Sequence, residues 1–279
     1  MLTSLASSAS PLPLGKLLSL RGRAAIVTEA DGGMGTAIAQ RLAEAGADML
    51  LCGLNLCTLE KTCEDLQHCF GIDAQPLALD LSDPDAAYGL IRSATKHFLH
   101  TDILVNNAGI FPANPTRGRL DTAWDRAVNT NLHTAYEASR ELAKCLQAQG
   151  KPGVILNILS IASVTSAGNP GDYLATKHIL ASVTKNMAEE LGPLGIRCLA
   201  LAPVRILKPA VALTPDVAAM MATNPHTRQA FEDYIAATLL GKTAQDDEVA
   251  TIALFAVSEM ARFISGAIIP VDGTDYLVH

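Results

Sequence analysis

Ala24-Ala25-Ile26-Val27-Thr28-Glu29-Ala30-Asp31-Gly32-Gly33-Met34-Gly35 is an apolar run that breaks into a glycine-containing turn and then opens a helix. Its first five residues read as a buried strand. Past the turn, Met34, Ile38, Leu42 and Ala45 fall on one side of a helix. A strand, a Gly-rich turn and a helix start can together aim backbone N–H groups at a pyrophosphate. Turns of this kind without a ligand are equally common, so the motif needs support from the rest of the chain.

The same alternation continues to the C-terminus. Met49-Leu50-Leu51-Cys52, Leu77-Ala78-Leu79, Ile103-Leu104-Val105, Val154-Ile155-Leu156-Asn157-Ile158, Ile196-Arg197-Cys198-Leu199-Ala200-Leu201 and Ala267-Ile268-Ile269-Pro270-Val271 all read as strands. Helical patterns fall between them at 60–70, 84–99, 121–148, 172–191 and 246–257. Strands that are apolar throughout and separated by helices imply a parallel sheet covered on both faces. Right-handed crossovers make this α/β chain a doubly wound, Rossmann-like parallel sheet of about seven strands. Residues 1–19, rich in Ser, Ala and Leu, read as a flexible arm, and 20–279 as one domain. The irregular stretch 205–235, after a strand end, is a candidate substrate loop.

Composition narrows the function. The 279 residues are 49% hydrophobic and 18% charged, which suits one well-filled core. The net charge of -7 and the lack of a basic run exclude a nucleic-acid reading. No apolar stretch approaches the roughly 20 residues of a membrane span. Cysteines 52, 57, 63 and 69 lie close together beside His68, yet no Cys-x-x-Cys pair occurs. Cys63 instead joins Leu59, Leu66 and Phe70 in a helical period, so small buried thiols are expected rather than zinc. Reduced thiols suit a cytoplasmic protein.

Tyr173 and Lys177 stand four residues apart, with Ser160 thirteen positions upstream at the end of an apolar run. On a helix, positions i and i+4 share a face, which brings the ammonium beside the phenol. A cation there is expected to lower the tyrosine pKa from about 10. The phenol then serves as general acid or base, and a serine hydroxyl can hold the same substrate oxygen. Taken alone, an exposed Tyr–Lys helix pair is the commoner meaning of this spacing.

In order and spacing, Thr28…Gly33-x-Gly35, Asp80-Leu81, Asn106-Asn107-Ala108-Gly109, Asn131, Ser160 and Tyr173-x-x-x-Lys177 resemble the classical short-chain dehydrogenases/reductases. The resemblance runs from about Arg21 to Tyr276. It implies that Asn131, Ser160, Tyr173 and Lys177 are catalytic, with Asn131 fixing a water that relays protons from Lys177. It also implies nicotinamide-nucleotide contacts at Thr28, Gly33, Met34, Gly35, Asp80, Leu81, Asn107, Ala108, Gly109, Tyr173, Lys177 and Pro203. Three departures stand out. Glu29 replaces the first glycine of the turn, Val204 follows Pro203 where the family has glycine, and Gly53-Leu54-Asn55 offers neither the acid of NAD-preferring relatives nor an arginine for a 2′-phosphate. The lack of cations favours NAD over NADP, with Glu29 as one source of the missing acid. Lys208, on the loop after Pro203 where relatives usually have threonine, could neutralise phosphate charge and partly offset Glu29.

The function expected is interconversion of an alcohol and a ketone with NAD or NADP. Ile110, Phe111, Ile161, Ala162, Val204 and Ile206 suggest apolar walls for a small-molecule substrate, and Arg205 suits a carboxylate. Glu29 and Val204 keep open a non-redox isomerase, lyase or cyclase, or a non-catalytic subunit. The resemblance further implies a homo-oligomer, tetramer or dimer, built on the helices near 121–148 and 172–191. Ala135, Leu142, Leu146, Ile179 and Val183 suit either that interface or the chain's own sheet.

Overall fold

The computed structural model describes residues 11–110, 122–163, 171–204, 239–240, 242 and 244–273. Seven strands, β1 Ala24–Thr28, β2 Asp48–Gly53, β3 Ala74–Ala78, β4 Thr101–Asn106, β5 Gly153–Ile158, β6 Ile196–Pro203 and β7 Ile268–Val271, form one sheet. Their order is β3-β2-β1-β4-β5-β6-β7, and every neighbouring pair is parallel. The helices are α1 Leu14–Leu18, α2 Gly33–Glu44, α3 Leu56–Phe70, α4 Ala86–His97, α5 Thr122–Val128, α6 Thr134–Gln149, α7 Gly171–Leu191 and α8 Asp246–Val257.

Because the sheet is covered twice, each strand sorts its side chains by period two. Ala25 and Val27 of β1 join Ile38 and Leu42 of α2 and Val249 and Ala253 of α8 in one core. Ala24 and Ile26 point the other way, into a core with Leu90 of α4, Leu142 of α6 and Met187 of α7. Continuously apolar strands are therefore what this architecture demands. Arg41 locks α2 to α8 through paired bonds to Asp247, 2.7 and 2.8 Å long.

The chain adds β2 and β3 on one side of β1, then crosses to place β4 on the other. At that switch point the strand ends splay and leave a crevice, the usual seat of a ligand in open α/β sheets. The turn after β1 and the Asn106–Gly109 segment after β4 face one another there.

Three elements differ from the expectation. The third strand is Ala74–Ala78 rather than 77–79. The strand contains Pro76, which is tolerated because β3 is an edge strand, where a missing N–H costs little. The helix expected over 121–148 contains a π-helical turn at Asn129–His133, between α5 and α6. Within the segment taken as an arm, Leu14–Leu18 is helical and is followed by fully buried Leu20.

Ala135, Leu142 and Leu146 are buried in the chain's own core, whereas Ile179 is 48% exposed. Cys63 packs with Leu59 and Leu66, as its helical period predicted. Among the described residues, no group of His, Cys, Asp and Glu is arranged to hold a metal ion, and no helix is long and apolar enough to cross a membrane.

Candidate active site

Thr28 closes β1 and clamps the crevice. Its hydroxyl accepts from the backbone N–H of Asn107 and of Ala108, both at 2.9 Å, and donates to Val105 O. Asn107 completes the clamp by donating from Nδ2 to Thr28 O at 3.0 Å and Glu29 O at 3.4 Å. Thr28 and Asn107, expected at the nucleotide, fix the backbone on both sides of the cleft.

Gly33 has φ 52°, in the left-handed region that favours glycine, and opens α2. Gly35 is required for a different reason. A Cβ there would lie 1.9 Å from Glu29 O and 2.8 Å from Asn107 Nδ2. Turn and helix therefore pack too closely for any side chain at residue 35, next to Met34 in the first turn of α2.

Glu29, in place of glycine, keeps glycine's conformation, with φ 53°. Its Oε2 accepts from the N–H of Gly109 at 2.8 Å. The expectation that this carboxylate serves the ribose at the end of β2 is corrected: it crosses the cleft toward Gly109 and Lys177. The acid that does reach the end of β2 is Asp31, whose Oδ2 accepts from Leu54 N at 2.8 Å and Asn55 N at 2.9 Å.

On the far side of the crevice, Tyr173 and Ser160 share a hydrogen bond between their hydroxyls. Ser160 ends the segment after β5, where its carbonyl accepts from Ser163 N at 2.8 Å and Ser163 Oγ at 2.6 Å. Lys177, one turn along α7, is buried and donates from Nζ to Ile158 O at 2.8 Å. Its ammonium stands 5.9 Å from the centre of the Tyr173 ring. Gly109 leaves it room, since a Cβ at that residue would sit 3.1 Å from Nζ.

The electrostatics correct one expectation. The Tyr173 phenol is pushed above its ordinary value by burial and the Glu29 charge, against which the Ser160 bond acts. Lys177 does not pull it down, because burial pushes the lysine itself down to about 8 while Glu29 holds it up. The phenol and the amine, nearly equal in acidity in water, are thereby driven apart, with the amine the readier to give up its proton.

Asn131 occupies the π-helical turn and is fully buried. Its Oδ1 accepts from Ile110 N at 2.8 Å, and its Nδ2 donates to Ile110 O at 3.0 Å and Thr176 Oγ1 at 3.2 Å. Such turns often mark functional sites, because the extra residue re-aims a side chain. Here it ties the strand-end segment at 110 to α7.

Asp80 lies beyond the end of β3, not at it. Its Oδ1 accepts from Ser82 N at 2.9 Å, and the backbone and side chain of Ser82 hold its carboxyl below the usual range. Leu81 is fixed through its carbonyl by Thr134 Oγ1 at 2.8 Å. At the end of β6, Val204 follows Pro203 without strain and donates from its N–H to Val271 O at 3.0 Å. Phe111, Arg205, Ile206, Lys208 and the 205–235 loop lie outside the described residues.

Sequence reasoning missed the buried polar spine beneath the site. Asn106 Nδ2 donates to Asn157 Oδ1 at 2.8 Å and Ser139 Oγ at 3.0 Å, and Asn157 Nδ2 donates to Thr184 Oγ1 at 2.9 Å. It joins β4, β5, α6 and α7 in one network. Asparagines at the ends of two apolar runs were its signal, since a buried amide needs partners on every side.

Known proteins agree with this arrangement. Residues 29–273 match the family model described as enoyl-(acyl carrier protein) reductase. L-xylulose reductase of Mus musculus is 35% identical over 92% of this chain and 97% of its own. A 3-oxoacyl-[acyl-carrier protein] reductase of Brucella melitensis, solved with bound NAD, superposes with a TM-score of 0.78 at 32% identity, covering 96% of this chain and 97% of that one. A protein provisionally assigned as a 2-deoxy-D-gluconate 3-dehydrogenase of Agrobacterium tumefaciens, solved with bound NADP, superposes with a TM-score of 0.79 at 33% identity over 94% and 99% of the two chains. A crevice at the switch point, a Ser–Tyr–Lys group at its wall and these similarities across nearly the whole chain place the protein in the short-chain dehydrogenase/reductase family of enzymes.

Proposed function

We propose that the protein interconverts a secondary alcohol and a ketone with a nicotinamide nucleotide, NAD in preference to NADP, and that Tyr173 exchanges the proton with the substrate oxygen. The observation that carries this reading is the Tyr173–Ser160 hydrogen bond with the buried Lys177 ammonium behind it. The cleft fits a dinucleotide in three respects: α2 starts beside it, Gly35 has no room for a side chain, and the clamp of Thr28 and Asn107 holds both lips. Glu29 is a charge that such a ligand has to meet.

A bound nicotinamide would supply or accept the hydride. Ser160 orients the substrate oxygen, and Tyr173 gives it a proton in reduction or takes one in oxidation. Lys177, buried behind the ring, is placed to return a proton to the phenolate that reduction leaves behind. Asn131 keeps one lone pair of Oδ1 after its bonds to Ile110 and Thr176, and that lone pair is where a water carrying protons from Lys177 would be held. The nucleotide set is Thr28, Gly33, Met34, Gly35, Asp80, Leu81, Asn107, Ala108, Gly109, Tyr173, Lys177 and Pro203. Ile110, Ile161 and Val204 favour a largely apolar substrate, and exposed Ile179 favours homo-oligomer contacts through α7.

The test is Tyr173→Phe. Turnover of a ketone panel with NADH should fall by roughly a hundredfold or more while NADH still binds. Undiminished turnover would reject the role of the phenol. The Glu29 carboxylate favours one second reading, proton-transfer chemistry without nicotinamide. NADH and NADPH fluorescence unchanged at millimolar nucleotide would select it.

A further inference from the structure

Asp31 belongs to the turn after β1, yet its side chain reaches the end of the neighbouring strand. The reach has a structural cause: Ala30 N donates to Cys52 O at 2.9 Å, which lays the turn along the end of β2. The Asp31 carboxylate then covers Gly53 and takes the N–H groups of Leu54 and Asn55 through one oxygen, Oδ2. A Cβ on residue 53 would lie 2.5 Å from both Cγ and Oδ1 of Asp31. Glycine at 53 and aspartate at 31 are therefore one feature: the strand end gives up its side chain, and the turn puts a carboxylate in that space.

In a doubly wound sheet the end of the second strand is where an acid meets the adenosine ribose hydroxyls and where a 2′-phosphate has to be neutralised. An ionised carboxylate has about four acceptor sites, so two backbone bonds to Oδ2 leave capacity for hydroxyl donors. The same charge opposes a phosphate carrying nearly two negative charges. The residues that would otherwise answer such a phosphate, Leu54 and Asn55, are exposed and uncharged.

Resting on the nicotinamide reading above, we propose that Asp31 is the specificity-determining residue for the nucleotide: it supplies, from the glycine turn, the acid that selects NAD over NADP. Glu29 has no part in this choice, since its carboxylate lies on Gly109.

The experiment is calorimetric titration of NADH and NADPH into the whole protein and into Asp31→Asn and Gly53→Ala, with melting curves confirming that each variant is folded. The parent protein should bind NADH more tightly. Asp31→Asn keeps the acceptor for Leu54 and Asn55 but removes the charge, and should lower the NADPH-to-NADH ratio of dissociation constants by roughly tenfold or more. Gly53→Ala, whose methyl group would push the carboxylate aside, should move the ratio the same way. A parent preference for NADPH, or a ratio unchanged in both folded variants, overturns the role of Asp31 alone. A parent that binds neither nucleotide overturns the nicotinamide reading and this inference with it.

Discussion

Replacing Glu29 by glycine changes three energies at once, and the structure lets each be weighed. A side chain in the left-handed region, as at φ 53°, costs about 1 kcal/mol, which glycine relieves. Glycine returns about the same amount as entropy of the unfolded chain. Loss of the 2.8 Å bond from Gly109 N–H to the carboxylate costs about 1 kcal/mol more. Folding stability should therefore move by no more than about 1 kcal/mol, and the variant remains testable. The nucleotide term is larger. A carboxylate about 6 Å from a diphosphate charge repels it by about 1 kcal/mol at an effective dielectric near 50. Two such charges make about 2 kcal/mol, or roughly thirtyfold in affinity. Isothermal titration of NADH should show Glu29→Gly binding tighter by about that factor at low salt, with the advantage shrinking as salt rises. Glu29→Gln separates the causes, because it retains the strained backbone and loses only the charge, and it should recover most of the gain. The same charge holds both Tyr173 and Lys177 up, so neutralising it should carry the pH limb of alcohol oxidation to lower pH. Unchanged or weaker NADH binding by both variants would refute the reasoning.

Two further substitutions test the scaffold. Lys177 is penalised in its charged form, with a folded value of about 8 against an ordinary 10.5. Below about pH 8 the penalty is fully present at about 3 kcal/mol, and it fades between pH 8 and 10.5, where the unfolded chain holds a proton that the folded chain has released. Allowing about 1 kcal/mol for the lost bond to Ile158, Lys177→Met should be more stable than the parent by about 2 kcal/mol at pH 7 and inactive. Urea titrations at pH 7 and near 10 should show the difference narrowing, and a parent more stable at neutral pH would contradict the assignment. Gly35→Ala forces a methyl group to 1.9 Å from Glu29 O. The turn has to open, and thermal melts should reveal a loss of about 3 kcal/mol or an insoluble protein. A parent-like melt would mean that the turn is looser than described.

Much of the fold was legible because a sheet covered on both faces leaves a plain trace. β1 at 24–28 and α8 at 246–257 coincide with the expected spans, and most other boundaries differ by one to four residues. The misses have local causes. Pro76 counts against a strand in any sequence reading, and its tolerance depends on β3 lying at an edge, a fact of topology. The π-helical turn at Asn129–His133 adds one residue to a helix whose apolar period barely registers it. The spacing of Tyr173 and Lys177 foretold a shared helix face, which α7 gives them, whereas their meeting with Ser160 depended on the order of motifs along the whole chain.

The site's two unexpected acids show where such reading stops. A pattern records which residue replaces a glycine, whereas the direction of its carboxylate is set by a backbone dihedral and by whichever N–H group lacks a partner nearby. Glu29, held at positive φ, is turned toward the N–H of Gly109. Asp31, two residues on, is carried over β2 by the bond from Ala30 N to Cys52 O. The sequence pointed to Glu29 alone as a source of the missing ribose acid, and Asp31 carried no signal of its own. Once placed, they separate: the Glu29 carboxylate lies on Gly109, where its charge acts on Tyr173 and Lys177, and the Asp31 carboxylate lies over the end of β2. The deviation from the family's glycine pattern and the missing acid after β2 thus have separate physical consequences. A double variant, Glu29→Gly with Asp31→Asn, should change overall affinity and nucleotide preference additively where the carboxylate on Gly109 and the one on Leu54 and Asn55 act separately. Strong non-additivity in the titrations would mean that the turn moves as a unit and that neither charge acts alone.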